Sequence, residues 1–363
     1  MHSVRLLMIA TSLAWLCGAS QAADFCADTS AELQQALSTA QSNGEADTIK
    51  IETGTYSLPG GAIAFEYLSG QGFALSIEGG YSGGPMCGRK RNVASLTVLS
   101  GGGAQQVLRL RAWGDGAISV KNLSIRDGDS ASDGGGLYIG DPGSMFMAGY
   151  EGDVTVERVI FEFNLSGASG GALYIATNAG LVRVNGSLFT FNQCAGDYCA
   201  LLVESPNAPL ALPVQVYLGG NTLAANRCTI NAPVSCNMEA AGFEGRQHVR
   251  LYHNLFAFQI GYDLYANDPN TEIDLYYNNI DQVFGILDEA VGNMNIDDPL
   301  FIDVLGDDFH LQSTSPMLNH GNAPLPATSI DLDGRTRIIG GAPDLGAYEF
   351  NPALFDDGFE EEP

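Results

Sequence analysis

Three stretches of the chain decide its fold: ISVKNLSIRDG from Ile118, VTVERVIFEFN from Val154 and VRVNGSLFTFN from Val182. Each begins with an apolar-polar-apolar triplet, and a second apolar group follows a few residues later. This period of two is typical of short β-strands that bury one face. The pattern continues in three further stretches, which are VQVYLGGNTLAAN from Val214, VRLYHNLFAFQ from Val249 and IDLYYNNIDQV from Ile273.

A second pattern recurs in register with the first. GGGLYI from Gly134, GGALYI from Gly170 and YCALLV from Tyr198 are separated by 36 and 28 residues, as are the first three stretches. A unit of two or three short strands cannot bury its own apolar face, but stacking the units along one axis joins their inward side chains into columns. The variable spacing disfavours leucine-rich repeats and propellers. The sequence therefore predicts an all-β solenoid, the parallel β-helix.

Asparagines recur where the chain leaves these strands, at Asn164, Asn192 and Asn226. A side-chain amide at such a position can bond the backbone of its own turn and its stacked neighbours. We therefore predict a structural role for these three residues.

The ends of the stack need covers, because an open end exposes apolar side chains and unpaired strand edges. Residues 24–46 are predicted to hold an amphipathic capping helix, with Thr29 and Glu32 at a capping-box spacing and Gly44 as its stop. The β-helix is predicted to span residues 47–350, with DFHLQSTSPM and LGAYEF in its closing strands. Residues 351–363 are predicted to be a loose acidic tail.

The N-terminus has the features of an export signal. Arg5 precedes an apolar run, and Ala22 and Ala23 fit a signal-peptidase site, so residues 1–22 are predicted to be a cleaved signal peptide. A lipoprotein anchored through Cys17 is the alternative, which the bulky Leu16 disfavours. No later stretch approaches the roughly 18 apolar residues of a membrane span. We expect a secreted, periplasmic or cell-surface protein without a transmembrane segment.

The charge of the chain limits its partners. The 363 residues include 42 acidic and 16 basic ones, which gives a formal net charge of −26. Such a charge repels phosphate backbones, so we expect no nucleic-acid partner. The hydrophobic share of 45% can fill a sizeable core, which excludes global disorder.

Six cysteines remain once the signal peptide is removed, and an oxidising compartment favours their pairing. They are Cys26, Cys87, Cys194, Cys199, Cys228 and Cys236. We expect Cys26–Cys87 to join the capping helix to the early coils, and Cys194–Cys199 and Cys228–Cys236 to close local loops. A stacked Cys194–Cys228 pair stays open as an alternative, because adjacent coils lie about 4.8 Å apart.

The repeats resemble those of a known family. GGxxY-type strands paired with FxxN, at residues 161–164 and 189–192, are similar to the repeats of polymorphic outer membrane proteins and of the wider secreted bacterial right-handed parallel β-helix family. The series SPMLNHG, DLDGR and PDLGAYEF is similar to the closing region of those secreted proteins. The resemblance implies a right-handed β-helix. It does not imply one activity, because β-helices host lyases, glycosidases and adhesins alike.

The outward positions of the strands predict a binding face. If every triplet starts a coil, Tyr217, Tyr252 and Tyr276 stack in consecutive coils, with Arg183 and Arg250 beside them. Such a face suits a polysaccharide or cell-surface glycan. Packing of the tyrosines on one another is the alternative. A second aromatic row, at Tyr138, Tyr174, Leu202 and Tyr265, is broken by the leucine.

Catalysis on the same face is the alternative function. A glycoside hydrolase needs two carboxyl groups roughly 5–9.5 Å apart, and Asp263 and Asp274 are the candidate pair, with Arg250 beside them. The alternative to a binding protein is therefore a polysaccharide lyase or glycoside hydrolase.

No metal site or cofactor is assigned from the sequence. Calcium would find oxygen ligands at Asp127, Asp129 and Asp133, or at Asp331 and Asp333, but solvated acidic loops are the commoner interpretation of such stretches.

Overall fold

The chain folds as a parallel β-helix, which confirms the prediction from the repeats. A computed structural model describes residues 22–58, 63–84, 86–141, 149–208, 212–229, 239–322 and 328–352. Successive coils pair in parallel and build three faces along one axis. Within the described residues, no helix has the length and apolar character needed to cross a membrane. All but the last residue of the predicted signal peptide and nearly all of the predicted tail lie outside those residues.

The three faces are called the first, second and third sheets. The first sheet holds Ala23–Ala27, Asp47–Glu52, Leu75–Ser82, Ile118–Ser130, Val154–Glu162, Leu181–Asn185, Val214–Gly219, Gln247–Tyr252, Glu272–Tyr276 and Ile286–Val291. Two of these strands, Ile118–Ser130 and Val154–Glu162, also run into the second sheet, which adds Gly54–Ser57, Thr97–Gln105, Leu188–Thr190, Thr222–Ala224 and Leu255–Ala257. The third sheet holds Phe65–Ser69, Leu108–Ala112, Leu137–Gly140, Leu173–Ala176, Leu201–Ser205, Ala241–Gly245, Leu264–Ala266 and Val283–Phe284.

Shorter elements complete the described part of the chain. Leu165–Ser166, Gln193–Cys194 and Arg227–Cys228 pair in parallel at one corner, and Arg89–Lys90 pairs antiparallel with Leu75–Ser82. Phe301–Asp303 and Asp308–Leu311 form an antiparallel pair. Single 3-10 turns span Ala94–Leu96 and Val304–Gly306. Ala23–Ala27 pairs in parallel with Asp47–Glu52, so the stack begins one strand earlier than Asp47.

The inward side chains form continuous apolar columns. Val154 is the register partner of Val182, and Val182 is the partner of Val216. All three are fully buried. Fully burying a valine or leucine side chain contributes roughly 1.5–3 kcal/mol, so every added coil strengthens the stack. The pairing with Val216, and not with Val214, shifts this coil by two residues from the alignment that its sequence suggests.

Each coil bends sharply between the first and second sheets at one residue in the left-handed region. Asn122, Arg158 and His253 have φ of 55°, 53° and 57°, and Gly186 and Gly220 hold the same place in the coils between Arg158 and His253. This conformation suits glycine and asparagine and costs about 1–2 kcal/mol for other residues. Packing of the flanking strands maintains the bend where the residue is large.

Two ladders of buried asparagines follow the axis. Asn164 Nδ2 donates to Oδ1 of Asn192 at 3.0 Å, and Asn192 donates likewise to Asn226 at 2.9 Å. These contacts confirm the structural role predicted for the three residues. A second ladder, which the repeat analysis did not identify, links Asn221, Asn254, Asn278 and Asn293.

The capping helix spans Ser30–Ala40. Thr29 is its N-cap, and the Thr29 side chain accepts a hydrogen bond from the backbone N–H of Glu32 at 3.3 Å. Leu33 and Leu37 are fully buried and belong to the same apolar core as the first coils. The helix therefore covers apolar surface at the N-terminal end, as expected.

Two of the three expected disulfides lie within the described residues and are confirmed. Cys26 is bonded to Cys87 with a Cα–Cα distance of 5.6 Å, and Cys194 to Cys199 with one of 4.9 Å. Cys194 and Cys228 are register partners in adjacent coils, yet they are not bonded to each other, so the stacked alternative is wrong. Cys228 is also in a disulfide. Cys236 lies outside the described residues, so the Cys228–Cys236 pairing remains a prediction.

The C-terminal segment does not continue the stack with closing strands, which corrects the sequence-based expectation. Beyond Leu311 it runs back over the outer side of the second sheet, where the backbone N–H of Ala347 donates to Thr222 Oγ1 at 2.9 Å. Leu332 and Leu345 join a separate apolar cluster with Leu188 and Leu255. The outer side of the second sheet is apolar, and covering it removes that surface from water.

Candidate functional site

The residues predicted to bind a ligand lie together on the outer side of the first sheet. Arg183 is the register partner of Tyr217, Tyr217 of Arg250, and Arg250 of Asp274. The four residues therefore form one row across adjacent coils. This register corrects the sequence-based alignment, which placed Tyr217 in the row of Tyr252. Both Val214 and Val216 point inward, so the pattern alone could not fix the start of this coil.

The guanidinium of Arg250 holds this row together. Its Nη1 donates to Tyr217 Oη at 2.7 Å and to Gln215 Oε1 at 2.8 Å, and its Nε donates to Asp274 Oδ2 at 3.2 Å. Its Nη2 lies 2.9 Å from Nδ1 of His248. An arginine has five N–H groups. Four are therefore engaged, and one is left for a ligand.

The contacts of His248 fix its tautomer. A guanidinium can only donate, so Nδ1 accepts from Arg250, and Nε2 carries the proton that is donated to Asp274 Oδ2 at 2.8 Å. Asp274 is 5% exposed. Because both ring nitrogens are engaged, His248 positions Asp274 and is not free to act as a general base in this arrangement.

The three tyrosines stack along the axis. The ring centroids of Tyr217 and Tyr252 are 6.4 Å apart and those of Tyr252 and Tyr276 are 5.1 Å apart, with interplanar angles of 13° and 9°. Tyr276 Oη donates to Glu289 Oε2 at 2.6 Å. The ring faces are turned toward one another, so the stack presents ring edges and hydroxyl groups to the solvent.

A groove of about 250 Å³ lies beside this stack, lined by Leu181, Arg183, Asn185 and Tyr217. The side chain of Arg183 makes no ion pair or hydrogen bond with any described residue. Asn185 Oδ1 is buried and likewise has no hydrogen-bond donor in the described part of the chain. The groove thus combines an unpaired cation with an amide acceptor.

Asp263 does not join Asp274, so the pair of carboxylates suggested by the sequence is not assembled. Asp274 lies in the first sheet, whereas Asp263 precedes the third-sheet strand Leu264–Ala266 and lines a groove of about 260 Å³ with Asp281 and Asp297. Burial raises the pKa of Asp263 to about 6, against the opposing effect of backbone N–H donors from Asp281 and Gln282.

The second aromatic row, on the third sheet, is packed and not open. Tyr138 stacks on Tyr174 with 4.9 Å between ring centroids. Tyr198 lies over Gly242, where an added Cβ would come within 2.1 Å of the tyrosine ring. Tyr174, Tyr198 and Leu202 are each 3% exposed. Tyr198 therefore fills the space that Gly242, which has no side chain, leaves in the row. This row offers little free surface to a ligand.

An acidic cluster beneath this row was not identified from the sequence. Glu204 is the register partner of Glu244, Tyr174 Oη donates to Glu204, and Tyr198 Oη donates to Glu244 at 3.1 Å. Glu239 is 1% exposed, and neither of its carboxyl oxygens has a hydrogen-bond partner among the described residues. Burial, helped by the negative charges of Asp197 and Glu244, raises the pKa of Glu239 to about 7.

The raised pKa of Glu239 predicts a pH-dependent stability. Its carboxyl group binds a proton in the folded state up to about pH 7 but in the unfolded chain only to about 4.5. The free energy of unfolding therefore falls as pH rises through this window. We expect Glu239→Gln to be more stable than the wild type at pH 8, by roughly 3 kcal/mol, and equally stable at pH 4. Urea unfolding at both pH values measures this.

Glu151→Gln, which changes an exposed carboxylate, is the matched control and should show no such pH-dependent gain. A stability difference between Glu239→Gln and the wild type that is the same at pH 4 and pH 8 would contradict the role of the Glu239 proton.

The suggested calcium ligands make contacts within the protein. Asp331 Oδ1 accepts from the backbone of Asp333 and Arg335 at 3.0 and 2.8 Å, and Asp133 Oδ1 accepts from the backbone of Ser169 at 2.9 Å. Asp127 pairs with the neighbouring arginine at 2.9 Å. Among the described residues, the groups with metal-ligand spacing include Cys194 or Cys26, whose sulfurs are in disulfides.

Comparisons with known proteins do not assign an activity to the chain. No family model matches the chain, and no curated protein matches it. Among solved structures, the crystal structure of pectate lyase Pel9A is similar with a TM-score of 0.43 and 16% sequence identity, covering 86% of this chain and 90% of that chain. Similarity of this degree does not extend the activity of that enzyme to this chain, and the fold follows here from the parallel sheets themselves.

Proposed function

We propose that the protein binds an acidic polysaccharide in the groove beside Arg183, on the outer side of the first sheet. The observation that carries this proposal is the Arg183 guanidinium, which lines a concave surface and has no ion pair among the described residues. The chain carries 42 acidic residues, yet none of the described ones forms an ion pair with this guanidinium. An unpaired guanidinium matches the carboxylate of a uronic acid, which it can hold through two parallel hydrogen bonds.

The surroundings of Arg183 support a sugar chain as the ligand. Tyr217 and Asn185 supply a hydroxyl group and an amide in the same groove, and Arg250 in the next coil keeps one N–H unused. Because the tyrosine rings face one another, recognition rests on hydrogen bonds from hydroxyl, amide and guanidinium groups. Adjacent coils lie about 4.8 Å apart, so Arg183, Tyr217 and Arg250 follow one another along a line that suits an extended polymer.

An extracellular or periplasmic location belongs to the same proposal. Polysaccharides with exposed uronic acids are reached outside the cell, and the predicted signal peptide provides the route. The disulfides Cys26–Cys87 and Cys194–Cys199 also favour an oxidising compartment.

The test is the affinity of the mature protein for polygalacturonate, measured by calorimetry at low salt. We expect Arg183→Ala to bind about tenfold to a hundredfold more weakly, because a charge-assisted hydrogen bond contributes about 1.5–3 kcal/mol. Arg89→Ala removes an exposed cation elsewhere and should bind like the wild type. A triple change of Tyr217, Tyr252 and Tyr276 to alanine should also weaken binding.

Equal binding by the wild type and Arg183→Ala, or no binding by either, would refute the proposal. A neutral galactan in parallel reports whether the carboxylates are needed. Release of reducing ends or of unsaturated uronates from these polymers would assign the protein to the hydrolases or lyases. In that event the Asp263 groove is the first place to test, by Asp263→Asn, because its carboxyl pKa is raised to about 6.

A further inference from the structure

The C-terminal end of the solenoid exposes its own core. Leu287 is the register partner of the fully buried Ile273, so it continues an inward column, yet it is 48% exposed. Phe284, Ile286 and Val291 around it are 44%, 51% and 40% exposed. Within the described residues, the last coil therefore presents the apolar side chains on which a further coil would pack.

The strand at this end is also open along its edge. Ile286–Val291 pairs in parallel with Glu272–Tyr276 on one side, and no described strand pairs with its other side. The N-terminal end differs, because the helix Ser30–Ala40 packs into the core there. The C-terminal segment lies on the second sheet and leaves this edge exposed. An open edge beside apolar surface is a template for adding a strand.

The charge at this end limits what can dock there. Residues 251–300, which form the last coils, contain nine aspartates and glutamates and not one lysine or arginine. Asp288 and Glu289 lie in the middle of the open strand, and both are exposed. The adjacent groove of about 260 Å³ adds Asp263, Asp281 and Asp297 to the same end.

A second copy of the chain fits this surface poorly. Two copies that pair Ile286–Val291 antiparallel about a two-fold axis would place Asp288 of each opposite Glu289 of the other, and like charges directly opposite are destabilising. The same mutual repulsion holds for Asp281 and Asp297 in the adjacent groove. Head-to-tail stacking would have to displace the capping helix.

We propose that the C-terminal end of the solenoid docks an extended, basic segment of a partner protein, which adds as a strand to Ile286–Val291. Alternate side chains of such a segment point to opposite sides of a sheet. Apolar side chains on one side cover Leu287 and the end of its column, and lysines or arginines on the other side meet Asp288 and its acidic neighbours. Backbone hydrogen bonds to the open edge supply affinity without a fixed sequence.

The test uses the full mature protein and labelled peptides of about ten residues. One peptide alternates valine and lysine, a second alternates valine and glutamate, and a third has the first composition with prolines inserted. We expect only the first to bind, with amide hydrogen exchange slowed in residues 286–291 of the protein. Exchange at these amides separates strand addition from general attraction to an acidic surface.

Two variants and one control define the site. Asp288→Lys with Asp297→Lys, and separately Leu287→Ser, should each weaken binding at least tenfold, about 1.4 kcal/mol. Asp115→Lys with Glu151→Lys changes two exposed carboxylates elsewhere and should leave binding unchanged. Unfolding curves confirm that each variant is folded.

Three outcomes would overturn the proposal. The first is binding of the lysine peptide without slowed exchange at residues 286–291. The second is equal binding of the lysine and glutamate peptides. The third is a wild-type dimer in sedimentation that Leu287→Ser dissociates, which would assign the end to a second copy. None of these readouts involves polygalacturonate or Arg183.

Discussion

Replacing both Cys26 and Cys87 with serine lowers the free energy of unfolding by about 4 kcal/mol. The two cysteines are 61 residues apart in sequence, so their bond removes a long loop from the unfolded ensemble. The bond also connects the first strand, Ala23–Ala27, to the chain beyond the strand Leu75–Ser82. Denaturant unfolding at pH 7 without reductant measures the loss.

The matched control is the Cys194, Cys199 double serine variant. These cysteines are separated by 5 residues, and the same loop-closure reasoning gives about 2 kcal/mol. The long-range disulfide should therefore cost clearly more to remove than the local one. Equal losses in the two variants would show that native-state contacts around the sulfurs, and not loop length, set the contribution.

The fold was predictable because its determinants are local and repeated. The alternation in VTVERV from Val154 fixes which side chains point inward, and the second pattern, from Gly134, fixes the length of each coil. Stacking then follows from the need to bury a face that one unit cannot bury. The capping helix was visible for the same reason, since its periodicity and N-cap lie within one short segment.

The register and the closing segment were not predictable from the same signals. In VQVYL both Val214 and Val216 can begin a triplet, and only the pairing of Val182 with Val216 decides between them. The final segment was expected to continue the stack. It packs on the second sheet instead, because side chains such as Leu188 and Leu255 make the outer side of that sheet apolar.

The sequence placed Arg183, Tyr217 and Arg250 on one face, but it aligned Tyr217 with Tyr252, whereas Tyr217 lies between Arg183 and Arg250. The engagement of Arg250 and the free state of Arg183 depend on side-chain positions. The sequence also contains a signal for the buried acid Glu239. In the parallel register, Glu239 occupies the position that Cys199 and Gly171 hold in the two preceding coils. An acid therefore replaces small residues at a buried position. Gly242 obscured this alignment because the neighbouring coils carry Leu202 and Tyr265 at its position.

A large loss of stability is also expected when the second asparagine ladder is broken. The Asn254 side chain makes four buried hydrogen bonds: Oδ1 accepts from the backbone N–H and from Nδ2 of Asn221 at 3.0 and 2.9 Å, and Nδ2 donates to Leu218 O and Asn278 Oδ1 at 2.9 and 3.0 Å. Each bond contributes about 1 kcal/mol, and an unsatisfied buried partner costs more. We expect Asn254→Ala to lower the free energy of unfolding by about 4 kcal/mol.

Asn254→Asp separates hydrogen bonding from side-chain size. It keeps the acceptor for Asn221, but it turns an oxygen toward Leu218 O and Asn278 Oδ1, where the amide had donated. We therefore expect the aspartate variant at pH 7 to be at least as unstable as the alanine variant, although its shape is nearly unchanged. Asn295→Ala, at an exposed position in the last coil, should stay within about 0.5 kcal/mol of the wild type. An Asn254→Asp variant as stable as the wild type would mean that the ladder holds the coils by packing alone.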